Sequence, residues 1–326
     1  MKAAVYDNYG LPDVLEIKDV ERPVPGDDEV LVRVHASSVN ALEWHLLTGI
    51  PYLVRPTAGL IRPKMSVLGA DVAGVVEAIG RDVTRFRPGD EVFGDIGTGA
   101  YAEYACGPER RLASKPPNLT FEQAAAVPVA GLTALQGLRD KAQVQSGQTV
   151  LINGASGGVG TFAIQIAKVL GAEVTAVCST RNVDQARSLG ADHVIDYTKE
   201  DLTQTQQRYD LVFDGPGNYP VADCKRLLNP EGMYLLIGGP KRRFLGPIPR
   251  MLRTAMAFSF ASQRTSWLLA QANREDLESL AGLLESGEVR SVIEATHSLD
   301  EVAEALRYVG EEHAQGKVAI TVSMAN

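Results

Sequence analysis

Cysteine is scarce in this chain. Only Cys106, Cys178 and Cys224 occur in 326 residues, too few and too scattered for a disulfide framework or a CxxC pair. Positive charge is also in deficit. With 32 Lys and Arg against 40 Asp and Glu, the net charge is −8, which argues against a general nucleic-acid binder but leaves room for a local basic pocket. A long apolar run is missing as well: the stretch from Pro249 to Ala270 is broken by Arg250, Arg253 and Arg264 and does not read as a membrane span. The opening residues, MKAAVYDNYG, enter a strand directly and lack an apolar signal core. These absences point to a globular protein of the reducing cytoplasm, with no nucleic-acid and no membrane partner expected.

What is present suffices for two domains and a large core, since 45% of the residues are hydrophobic and 22% charged. Up to about residue 130 the pattern is short strands with frequent turns, as at Lys2 to Tyr6, Glu29 to Ser38, Gly74 to Ile79 and Glu91 to Gly94. A helix over Phe121 to Val144 then leads into a regular βαβ alternation. Its strands are expected at Thr149 to Asn153, Glu173 to Cys178, His193 to Asp196, Leu211 to Asp214 and Tyr234 to Ile237, a doubly wound parallel sheet. Helices follow near Asp276 to Glu285 and Leu299 to Tyr308. The last strand, Val318 to Val322, is expected to rejoin the first domain.

The most informative segment is VLINGASGGVGTFAIQIAK, from Val150 to Lys168. A strand, a glycine turn and a helix together make an anion site, because unpaired N–H groups at the helix start face outward with the positive end of the dipole behind them. The spacing Ala155-x-Gly157-x-x-Gly160 matches the dinucleotide fingerprint, with alanine in the first glycine slot. Ala155, Ser156, Gly157, Gly158, Val159 and Gly160 are therefore expected to line a pyrophosphate. A tight turn without a ligand is the plainer alternative.

The loop after the next strand speaks to the kind of dinucleotide. An acid there would accept the ribose hydroxyls of NAD, but this chain has Ser179, Thr180 and Arg181. Two hydroxyls and a guanidinium suit the 2′-phosphate of NADPH. The alternative is a polar loop that caps the next helix and leaves Arg181 solvated. Tyr197 either flanks the adenine end or is a half-buried loop tyrosine. Gly238 and Gly239 end the last strand of the alternation, at the edge that faces a cofactor, or simply permit the turn into Pro240.

With these residues goes a wider pattern: LGADVAGVVEAIG (Leu68 to Gly80), RPGDEVFG (Arg87 to Gly94), GAYAEY (Gly99 to Tyr104), GLTAL (Gly131 to Leu135), LGADHVIDY (Leu189 to Tyr197) and GKVAIT (Gly316 to Thr321). In this order they resemble the medium-chain dehydrogenase/reductase superfamily over essentially the whole chain. The resemblance implies an α/β protein, with a GroES-like β-rich catalytic domain plus a Rossmann doubly wound parallel sheet. The catalytic domain would span 1–130, completed by about 271–326, and the NADPH-binding Rossmann domain 131–270. It also implies a homodimer.

The superfamily's alcohol dehydrogenases hold zinc, and this chain lacks the ligands. No cysteine stands in Val39 to Trp44, Ala70 occupies the histidine position, and Ala130 falls near the third. Since a catalytic zinc needs three protein ligands, no metal is expected. What remains resembles the zinc-free, zeta-crystallin-like quinone oxidoreductase branch, whose members reduce quinones or activated double bonds with NADPH. That chemistry suits a site without a Lewis acid, because a quinone or enone is already electrophilic. Other readings are an enone or enoyl-thioester reductase with little quinone activity, or a non-catalytic NADPH-binding protein.

Within that resemblance Asn40 matches an asparagine near the nicotinamide, although with Glu43 three residues on it also reads as a helix cap. Tyr52 is a candidate for substrate contact or proton donation, or an ordinary packed tyrosine. Thr133 corresponds to a residue that approaches the nicotinamide. Lys317 aligns with a basic residue that reaches the pyrophosphate, or else is a snorkelling lysine beside a turn glycine. Asp71 is expected to be a buried structural carboxylate. The segment from Lys241 to Trp267 is expected to lid the site and set substrate size, with subunit packing as the equal alternative.

Overall fold

Runs of Val, Ala and Ile punctuated by Gly and Pro turns form the strands β1 (Lys2–Val5), β2 (Glu16–Asp19), β3 (Glu29–Val39), β4 (Asp71–Ile79), β5 (Glu91–Asp95), β6 (Tyr104–Pro108) and β7 (Leu112–Ser114). The alternating region supplies β8 (Thr149–Asn153), β9 (Glu173–Cys178), β10 (His193–Asp196), β11 (Tyr209–Asp214), β12 (Leu228–Leu236) and β13 (Arg264–Trp267). Near the C-terminus lie β14 (Ile293–Ser298) and β15 (Lys317–Thr321). This computed structural model describes residues 1–238, 248–311 and 314–322. Among them no helix is long and apolar enough to cross a membrane.

The chain divides into two units, Met1–Leu132 with Gln271–Asn326, and Thr133–Ala270. In the first, a sheet runs in the order β14-β15-β3-β4-β5-β7, with β6 also paired to β3. Its core is built on Val30, Val32, Val34, Val72, Val318 and Ile320, all with no exposed surface. β15 pairs antiparallel with β3, Val318 opposite Val39, so the C-terminal strand does return to the first unit.

In the second unit the order is β10-β9-β8-β11-β12-β13, every neighbour parallel. Counted from β8 this is 3-2-1-4-5-6, the Rossmann order, with the reversal of direction between β8 and β11. Strands β8 and β9 are almost wholly buried, as parallel strands covered on both faces must be.

One local expectation changes, and another gains its place in the fold. The helix read over Phe121 to Val144 is broken into Phe121–Ala125, Pro128–Leu135 and a π-helical turn over Gln136–Lys141. Pro128 has no N–H to continue the first helix and disfavours helical backbone at Val127, so it opens a new one. The described part of the expected lid, residues 248–267, belongs to the second unit: helix Ile248–Phe258 and the sixth strand, β13, paired with β12. Residues 241–247 lie outside the described residues.

Gly160 shows why glycine is needed at the third fingerprint position. A Cβ there would stand 2.2 Å from the Gly154 carbonyl oxygen and 2.7 Å from Ala155 Cα, backbone atoms that cannot turn aside. We predict that Gly160→Ala destabilises the protein by about 1–3 kcal/mol, read as a lowered denaturation midpoint with unchanged slope.

Candidate functional site

The expected cofactor residues of the second unit gather at the carboxyl edge of its sheet. Ala155 to Gly160 follow β8, Ser179 to Arg181 follow β9, Tyr197 follows β10 and Gly238 follows β12. Gly239 lies outside the described residues. Gly154 makes the turn with φ +81°, and Gly157 stands at the N-cap of helix Gly158–Val169 with no side-chain capping bond. The first N–H groups of that helix are thus left for a ligand. At Gly157 an added Cβ would meet nothing nearer than the Gly154 oxygen at 3.5 Å. The fold itself does not demand glycine there, so the open backbone fits an approaching pyrophosphate.

In the loop after β9, Thr180 departs from its expected role. Thr180 donates its hydroxyl to Asp196 at 2.6 Å and lies 2.7 Å from Thr198 Oγ1. A threonine has one O–H, so Thr180 is not a donor to a phosphate while that bond stands. The Thr180 bond, with further donors on Thr198 and Lys199, holds the Asp196 carboxyl well below the usual carboxylate range. Ser179 Oγ accepts from the Asn182 amide at 3.1 Å, and among the described residues its own O–H has no acceptor. Arg181 and Tyr197 are exposed, Tyr197 at 56%.

A second cluster on this edge was not foreseen. Asp214, with no exposed surface, accepts from Tyr234 at 2.6 Å, Asn153 at 2.8 Å, the Gly217 N–H at 3.0 Å and Arg250 at 3.2 Å. Arg250 also donates to the Tyr219 carbonyl at 2.7 Å. Burial, and then Asp214, push the Tyr234 hydroxyl far above its ordinary range. The signal in the sequence was Arg250 itself, a cation inside an apolar stretch.

In the first unit, the buried polar residues converge on Asp71. Its carboxylate accepts from Ser38 Oγ at 2.5 Å, Asn40 Nδ2 at 2.8 Å, the Val129 N–H at 2.8 Å and Lys317 Nζ at 3.3 Å. Lys317 Nζ also donates to Asn40 Oδ1 and to the Val39 carbonyl. Beside this cluster, Glu43 accepts from the Asn40 N–H at 2.8 Å and the Ala70 N–H at 2.9 Å. Asn40 therefore starts helix Ala41–Thr48, with Glu43 closing back onto it, while its side chain turns into the cluster.

Lys317 is thereby reassigned. Its side chain is 2% exposed and its three donors serve Asn40, Asp71 and Val39, so none is left for a pyrophosphate. Tyr52 lies outside this cluster, on the turn Tyr52–Val54 with the Arg55 guanidinium 4.4 Å above its ring. Thr133 is half-buried on helix Pro128–Leu135, one turn beyond Val129. Among the described residues no three His, Cys, Asp or Glu side chains are placed to hold a metal ion.

Comparison with known proteins agrees over the whole length. Residues 26–117 match the alcohol dehydrogenase GroES-like domain family, and residues 189–320 a zinc-binding dehydrogenase family. The chain is 36% identical to quinone-oxidoreductase QR1, chloroplastic, of Triphysaria versicolor, covering 98% of each. It is 35% identical to the 2-methylene-furan-3-one reductase of Solanum lycopersicum, covering 98% of this chain and 79% of that protein. Among solved structures, the quinone oxidoreductase from Coxiella burnetii aligns with a TM-score of 0.87 at 31% identity, covering 99% of each chain.

Burial, and then the neighbouring Asp71, push the Glu43 carboxyl up from 4.5 to about 7. The folded protein thus binds a proton that the unfolded chain has released, so stability falls as pH rises from about 4.5 to about 7. Asp95, raised to about 6 mainly by burial, acts in the same direction. We predict that Glu43→Gln, although less stable overall, loses on the order of 3 kcal/mol of this decline. Urea midpoints at pH 5 and pH 8 for both proteins check it, and parallel declines contradict it.

Proposed function

This chain belongs to the zinc-independent quinone oxidoreductase branch of the medium-chain dehydrogenase/reductase superfamily, and from that premise we propose that it uses NADPH to reduce a small quinone or an activated enone or alkenal. The carboxyl edge of the parallel sheet carries the reading. It pairs an uncapped helix start above Gly157 with a loop, Ser179 to Arg181, that has no carboxylate. Asp196, the acid that Thr180 bonds, is also met by Thr198 and Lys199, and Ser179 and Arg181 are the residues we assign to a 2′-phosphate.

When bound, the dinucleotide supplies the hydride. The protein's part is to hold donor and acceptor in line. Gly158 and Val159 present backbone N–H groups to the pyrophosphate, while Gly157, whose N–H is bonded to the Gly154 carbonyl at 3.1 Å, lets the backbone come close. The acceptor needs no Lewis acid, since a quinone or enone spreads the incoming charge onto its conjugated oxygen. Asn40 is the residue we assign to that oxygen, as a neutral donor that stabilises developing negative charge. Named relatives support both acceptor classes, one being a quinone oxidoreductase and another a furanone reductase.

A panel of quinone, enone, alkenal and alcohol substrates with NADPH or NADH tests the activity, with turnover expected on the first three. Arg181→Ala should weaken NADPH binding about 10- to 100-fold, the worth of one charge-assisted bond, and leave NADH within about twofold. Equal loss for both dinucleotides would remove Arg181 from the phosphate site.

A further inference from the structure

An amide side chain has two ends that differ only in what they can bond. At Asn40 both ends are decided by charged neighbours. The Lys317 ammonium has only donors and so must face Oδ1, while the Asp71 carboxylate only accepts and so must face Nδ2. Lys317 and Asp71 are also ion-paired to each other at 3.3 Å, with side chains 2% and 0% exposed. The register of β15 against β3, Val318 opposite Val39, brings the two residues next in line, Lys317 and Asn40, side by side.

Such an arrangement does more than hold the group still. An ammonium on the amide oxygen draws electron density toward it and makes the Nδ2–H bonds better donors, and burial away from water strengthens the effect. One of the two Nδ2–H groups goes to Asp71. Resting on the reading in which Asn40 meets the acceptor, we propose that Lys317 and Asp71 are positioning residues that orient and polarise the Asn40 amide, so that its second Nδ2–H is the donor to the acceptor oxygen. The amide keeps its proton throughout. Hydride reaches the acceptor carbon, charge collects on the oxygen under that N–H, and water supplies the proton that completes reduction.

Lys317→Met keeps most of the stem and removes the charge. With NADPH and trans-2-hexenal or 1,4-naphthoquinone, kcat should fall about 10-fold while the acceptor KM and the NADPH Kd stay within about threefold. Asn40→Ala should lower kcat at least as much, and the double variant should be no slower than Asn40→Ala alone, because Lys317 acts through Asn40. Independently of turnover, the Asn40 side-chain amide protons in the cofactor-free protein should resonate downfield and move upfield in Lys317→Met. Additive losses in kcat, or an unmoved amide resonance, would overturn the assignment. If Lys317→Met fails to fold because Asp71 is left buried without its counter-charge, Asp71→Asn with Lys317→Met removes both charges and is read the same way. Wild-type protein that turns over neither acceptor brings down the functional reading and this one with it, whereas turnover with additive losses brings down only the positioning role.

Discussion

A carboxylate with no exposed surface organises the first unit. Asp71 must have donors around it in the interior, since a buried polar or charged group left unpaired costs several kcal/mol. Its donors come from separate stretches of chain: Ser38 and Asn40 at the end of β3, the backbone of Val129 at a helix start, and Lys317 at the start of β15. Satisfying one group therefore ties together a sheet, a helix and the C-terminal strand. The same bonds set the Asn40 side chain in one orientation, and Asn40 is the residue to which we assign the acceptor.

The second unit depends on a different constraint. Parallel strands end at one edge, and there the glycine turn, the Ser179 to Arg181 loop and Gly238 come together although they are distant in sequence. Asp214 supports that edge as Asp71 supports the first unit. It draws in Asn153 from the end of β8, Tyr234 from β12 and Arg250 from the helix that precedes β13. Over residues 248–267 the apolar, arginine-bearing stretch forms the last helix and strand of the Rossmann winding.

Much of the fold was legible because its signals are local. β8 and β9 lie on apolar runs, since strands buried on both faces are rich in Val, Ile and Ala. The helix after Phe121 was misread because alanine-rich periodicity continued through Val127-Pro128, and the missing N–H of proline outweighed it. Thr180 and Lys317 were harder. Each has a side chain suited to a phosphate, and each is held by an acidic or amide partner at least 16 residues away, which no spacing rule reveals.

By itself the sequence determined the glycine turn, the alternation of strands with helices and the residue types suited to a 2′-phosphate, because steric room at a turn and apolar periodicity are properties of neighbouring residues. Only the tertiary structure decided which polar side chains are still able to bond a ligand. That depends on which distant donor meets which acceptor: the β15–β3 register sets Lys317 on Asn40 and the β10–β9 register sets Asp196 beside Thr180. Burial then makes those partnerships obligatory, since a polar group removed from water must find its bond inside the protein.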